Sequence, residues 1–132
     1  MSMRFTGDER GSSPVEFVLI GTMLTALTLA VLQLALIVYV RNVVHDAAVE
    51  GAYYAALADT APAEGAERAG EVITRAIGAS YADDITVERA RDAGQDEVVV
   101  RIRTSLPIIG LIGIPAAIEV EAHAPAESFD VE

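Results

Sequence analysis

Between Phe17 and Val40 the chain carries no charged residue. A helix over this stretch is about 36 Å long at 1.5 Å per residue, enough to cross a hydrocarbon core of roughly 30 Å. A secretory signal would have an apolar stretch of about 7–15 residues with a small-x-small cleavage site just beyond it. Here the run is longer and Arg41 and Asn42 follow it; Ala56-Leu57-Ala58 lies too far downstream, inside a helical pattern, to be a processing site. The stretch reads as a membrane anchor. Beyond it the helical period continues from Arg41 to about Leu57. Asn42, His45, Asp46, Glu50 and Tyr53 fall on one side, and Val43, Val44, Ala47, Ala48, Gly51 and Ala55 on the other. Asp59 to Gly65, with Pro62 and Gly65, reads as a turn. Ala66 to Ile77 then places Ala69, Val72, Ile73, Ala76 and Ile77 on one stripe of a second helix, which Gly78 is suited to end.

After Gly78 the period changes to two. Ile85 to Arg89, Val98 to Leu106 and Ile118 to Ala124 alternate, with Val98, Val100, Ile102 and Leu106 on one face of the middle segment. Arg101 and Arg103 on its other face suit a position between a first strand bearing Glu88 and a third bearing Glu119 and Glu121, which predicts the order 1-2-3. Asp92 to Asp96, with Gly94, supplies the first turn. Pro107 to Pro115 is an apolar connection too short to span a bilayer and too apolar for an ordinary surface loop. The expected fold is α+β: a long N-terminal transmembrane helix continuing into a small domain of one further helix and a three-stranded antiparallel sheet. In segments, residues 1–11 form a leader, 12–40 the transmembrane helix, 41–58 its helical continuation and 59–132 a small extracytoplasmic domain.

The charge balance narrows the function. Nine basic residues, all Arg, stand against 20 acidic ones, giving a formal charge of −11, so a basic surface that would neutralise a nucleic-acid backbone is not expected. With no Cys there is no disulfide framework, thiolate nucleophile or cysteine metal site. Arg4 and Arg10 precede the span and only Arg41 follows it closely, which favours a cytoplasmic N-terminus and an exported body.

The most informative residues lie at the membrane edge: Arg10, Gly11, Ser12, Ser13, Pro14, Val15, Glu16 and Phe17. A carboxylate at the start of an apolar span is costly and calls for a partner or a function. If the chain were cut after Gly11, the new amino group on Ser12 would be a cation at membrane depth, able to pair with Glu16 of a neighbouring subunit. Pro14 would then fall in the first helical turn, where its missing N–H does no harm.

A short polar leader ending in Gly, followed by Glu at the fifth mature position and a long apolar helix, resembles a type IV prepilin. Gly11 to Phe17, Tyr39-Val40-Arg41-Asn42 and Ala47-Ala48-Val49-Glu50-Gly51-Ala52-Tyr53-Tyr54-Ala55-Ala56 together resemble the TadE-like family of tight-adherence pilus proteins. The resemblance implies processing between Gly11 and Ser12 by a prepilin peptidase, and Glu16 as the assembly carboxylate. It also implies a minor pilin or pseudopilin role in a tight-adherence (type IVc) pilus, with sister pilins and assembly machinery as partners. The domain after the helix is larger than the very short major pilins of such systems need. One departure from the family pattern is Pro14, where smaller or branched residues are commoner. The expected location is the cytoplasmic membrane, single-pass, and the cell-surface pilus.

Small residues let helices approach closely, so Ala47, Gly51 and Ala55, with Gly21, Thr25 and Thr28 in the span, are candidates for subunit packing; the extramembrane set would serve equally well to receive the chain's own domain. No enzyme, cofactor, metal or small-molecule substrate is expected. Ser12 and Ser13 lack a positioned base, His45 beside Asp46 and Glu50 has no second histidine at ligand spacing, and Asp83-Asp84 reads as a solvated turn pair. Gly110 and Gly113 lack the Lys and following hydroxyl of a phosphate loop. The competing reading is an uncleaved, single-pass anchor carrying a binding or sensor module.

Overall fold

The computed structural model describes residues 12–57, 59–106 and 114–127. Residues 1–11, expected from the sequence to be a leader, and residues 107–113 of the apolar connection lie outside the described residues. The chain divides into two compact units, residues 1–35 and 36–132, and one helix, α1 (Ser12–Ala56), contributes to both. α2 (Pro62–Ala76) and a single 3-10 turn (Ala79–Tyr81) follow, then β1 (Asp84–Asp92), β2 (Gln95–Leu106) and β3 (Ile114–Pro125). The three strands form one antiparallel sheet in the order β1-β2-β3. The α+β class and the strand order are those expected.

In the first unit α1 is long and apolar enough to cross a membrane. Its large side chains, from Phe17, 78 % exposed, through Leu27, 61 %, are bare of protein cover. A core helix of a soluble protein would bury them; these need another apolar medium.

The second unit is built on an alanine-rich face. Val40, Val44, Ala47, Ala48, Ala52, Ala55 and Ala56 of α1 are buried in one core with Ala69 and Ile73 of α2 and the inner face of the sheet. That inner face is Val98, Val100 and Ile102 of β2 and Ile118, Val120, Ala122 and Ala124 of β3, with Ile85 and Val87 of β1 half-buried. Alternation along each strand puts every second residue inward, as the period of two requires. Two backbone bonds tie the segment just after β3 to this frame: Ala126 N–H to the Asp96 carbonyl and Glu127 N–H to the Ala56 carbonyl, both 2.9 Å. The second satisfies one of the carbonyls that the C-terminus of α1 leaves open.

Two boundaries differ from the sequence expectation, the start of α2 and the β1–β2 hairpin, while Gly78 ends α2 as expected. The turn assigned to Asp59–Gly65 ends earlier, because Pro62 starts α2 at a position where its missing N–H is harmless, and Gly65 is a buried helical residue. The Glu64 carboxylate reaches back to accept the Ala61 N–H at 3.0 Å and so fixes the start. At the other end the N–H groups of Ile77 and Gly78 both donate to the Ile73 carbonyl, with Gly78 at φ +112°. The hairpin between β1 and β2 is also tighter than Asp92–Asp96: Asp92 pairs with Gln95 across Ala93 and Gly94, whose φ values of +48° and +87° make the positive-φ turn that matches strand twist.

Candidate functional site

At the start of the apolar run, Gly11 lies outside the described residues, and α1 is described from Ser12 onward. Pro14 is helical within α1, and Glu16 is exposed with no ion pair among the described residues. The apolar neighbours Val15, Phe17 and Val18 are exposed as well. A lone carboxylate thus opens an uncovered apolar surface, which is the arrangement that calls for a partner from outside the chain.

Further along, the Thr22, Thr25 and Thr28 hydroxyls each donate to the carbonyl four residues back, on Val18, Gly21 and Leu24, at 2.8 Å. These bonds leave no bare donor in hydrocarbon and keep the side chains close to the helix. A Cβ at Gly21 would meet nothing within 4 Å. At 100° per residue Gly21, Thr25 and Thr28 share one face, and Glu16 lies about 140° round the helix from Gly21. The carboxylate and the small-residue stripe therefore point to different neighbours.

Ala47, Gly51 and Ala55 sit elsewhere: all three are buried inside the second unit. A Cβ on Gly51 would come within 2.7 Å of the Gly65 carbonyl and 2.9 Å of Ala69 Cβ; one on Gly65 would lie 2.5 Å from Ala55 Cβ. Here α1 and α2 cross backbone to backbone, so these small residues receive the chain's own second helix. The polar side of α1 stays outside: His45 and Asp46 are exposed, and Glu50 is held by Arg68 at 2.6 Å.

On the outer face of the sheet the charges interlock as the alternation implied. Arg101 meets Glu121 at 2.9 Å and Glu119 at 3.3 Å, and Arg103 meets Glu119 at 3.0 Å. The hydrogen bond from Arg101 holds the Glu121 carboxyl below its usual range, and that from Arg91 does the same to Asp96, 2.8 Å away across the hairpin. The sequence reading missed His123, whose Nδ1 lies 3.1 Å from Glu97 and Nε2 3.0 Å from Glu121. Its place in the outward alternation with Glu119 and Glu121 was the available signal.

None of this makes a catalytic arrangement. Among the described residues neither histidine hydrogen-bonds a hydroxyl, and no three His, Asp or Glu side chains are grouped to hold a metal. Asp83 and Asp84 are exposed, Asp84 at the end of β1 opposite Arg103. The Thr104 hydroxyl is buried on the inner face without a hydrogen-bond partner. An open cavity of about 530 Å³ lies in the second unit, between the end of α1 and the hairpin, lined by Ala56, Arg89, Arg91, Asp96 and Glu127.

Residues 11–52 match the model of a family described as TadE-like protein, so the resemblance seen in the sequence holds over that segment. No curated protein and no solved structure gives a match.

Proposed function

We propose, from a chain whose residues 11–52 are TadE-like, that the protein is a structural subunit of a tight-adherence pilus. In this reading it is a minor pilin or pseudopilin, inserted in the cytoplasmic membrane with its N-terminus inside and its second unit outside. A prepilin peptidase removes residues 1–11. The observation that carries the reading is the coincidence of two features: the family match starts at Gly11, and Glu16 opens an uncovered apolar helix.

The chemistry follows from that coincidence. Cleavage after Gly11 creates an ammonium on Ser12 at the lipid edge. Two opposite charges in a low-dielectric medium attract far more strongly than in water, and each alone is expensive there. The Glu16 carboxylate of one subunit and the Ser12 ammonium of the next remove each other's cost only when the helices pack in the right axial register. The pair therefore acts as a register device for assembly. Before cleavage the ammonium does not exist, which couples processing to packing.

Glu16→Ala tests this. In cells carrying the assembly machinery, the variant should be inserted and processed like the parent but be lost from the sheared filament and membrane-complex fractions. Undiminished incorporation would remove the proposed pairing.

A further inference from the structure

We propose that the second unit meets a lipid bilayer directly, the uncharged end of its sheet entering the headgroup layer at the level of residues 36–40 of α1. The contact rests on α1 crossing a membrane and stands whether or not residues 1–11 are removed.

Helix length leaves no spacer between bilayer and unit. About 20 residues counted from Phe17 rise about 30 Å, the thickness of a hydrocarbon core, and end at Leu36. Leu36 is also the first residue of the second unit. The uncharged run nevertheless continues to Val40, which is buried in that unit's core, and the first charge is Arg41. From Leu36 to Arg41 the helix rises about 7.5 Å, close to the depth of one headgroup layer. Val38 and Tyr39 are exposed within this interval, and an aromatic ring with a polar tip suits that layer.

The sheet loses its charge at the same level. One rung across it carries three ionisable residues in register, Asp84, Arg103 and Glu119, with Arg103 bonded to Glu119. Past that rung, from Thr104 through Ile118, the sequence holds no charged residue. Helix and sheet share a reference at the opposite end, where the Asp96 carbonyl accepts the Ala126 N–H and the Ala56 carbonyl accepts the Glu127 N–H. From there α1 and β2 run back through one core, which takes Val44 and Val40 from the helix and Val98, Val100 and Ile102 from the strand. Arg103 is seven residues on from Asp96, about 23 Å along the strand, and Arg41 is 15 residues before Ala56, about 22.5 Å along the helix. Charge therefore stops at one level on both elements. Water imposes no such plane on a protein surface, whereas the edge of a bilayer does, because charge is costly beyond it. Leu106 and Ile114 pair on the uncharged side of the rung. Asp83 and Asp84, both exposed, stand at its β1 margin, so the contact is apolar rather than electrostatic and a zwitterionic lipid suffices.

The absence of cysteine allows single nitroxide labels. Full-length Ser105→Cys, on the uncharged end of β2, is labelled and reconstituted in phosphatidylcholine vesicles, with Leu27→Cys, Tyr39→Cys and Ala90→Cys as references in the span, at its end and near the hairpin. Collisions with oxygen, which concentrates in lipid, and with a water-soluble nickel chelate are read by electron paramagnetic resonance. The oxygen-to-nickel ratio at Ser105 should match that at Tyr39 and exceed that at Ala90 several-fold. A Ser105 label as open to nickel as the Ala90 label would overturn the proposal, and so would one shielded from both reagents, as cover by a second copy or another protein would give. A Leu27 label open to nickel would overturn the membrane reading itself. If the label disturbs the sheet, the bare Ser105→Cys thiol, near-isosteric with the parent, carries the test. It should react with a membrane-impermeant maleimide several-fold more slowly than the Ala90→Cys thiol, and an equal rate would overturn the proposal.

Discussion

At the scale of single residues, the same residue type serves two purposes in this chain, and substitution separates them. Gly51 and Gly65 allow α1 and α2 to touch, with no space for a Cβ on either. Gly51→Val should lower the stability of the second unit by about 1–3 kcal/mol, read as an earlier thermal transition of the detergent-solubilised chain. Gly21 has open space around it. Gly21→Val should leave that transition unchanged, so any loss of incorporation it causes reports contact with another helix. The surface carboxylates give a pH dependence of known sign. Arginine partners hold Glu121 and Asp96 below the ordinary carboxylate range, so the folded state takes up their protons less readily than the unfolded chain. Their stabilisation is complete above about pH 5 and disappears as the pH falls through the carboxylate range toward about 2. Glu121→Gln should therefore make the acid loss of stability shallower in that interval, by a small amount because the pair is exposed and screened.

Among the elements, the β1–β2 hairpin shows what local chemistry leaves unsatisfied. Ala93 occupies a positive-φ position that favours Asn or Gly, and the following Gly94 already suits its own. Ala93→Asn should gain about 0.5–1 kcal/mol in denaturant or thermal unfolding without altering the fold. How far the elements could be read from the sequence follows from how local their causes are. The uncharged run of α1, the alternation of the strands and the facing charges of Arg101, Arg103, Glu119 and Glu121 depend on period alone, and they were legible. The start of α2 was not. Pro62 and Gly65 look like breakers in sequence, but Pro62 is at a helix start and Gly65 is required by the approach of Gly51 and Ala55, a contact between residues far apart in the chain. The role of Ala47, Gly51 and Ala55 stayed open for the same reason, since a small-residue face has the same pattern whatever covers it. His123 was legible as outward-facing, but its placement between Glu97 and Glu121 needs the β2–β3 register.

Over the whole molecule, the division into two units at residue 35 separates two kinds of apolar surface. In the second unit it is consumed internally: alanines of α1, Ile73 of α2 and the inner sheet face close one core. In the first unit it is left bare along the helix, with a single carboxylate, Glu16, at its beginning. A folded second unit together with an uncovered helix is what a subunit needs if it waits in a bilayer and then packs by that helix against others of its kind. The account therefore depends on whether Ser12 becomes a chain end, because only then does Glu16 have its partner. The most direct measurement is the N-terminal residue of the mature protein, by mass spectrometry of membranes from cells with and without the prepilin peptidase. A start at Ser12 that disappears with the peptidase is the predicted result; residues 1–11 intact in both strains would contradict it, leaving a permanent anchor with an unpartnered carboxylate.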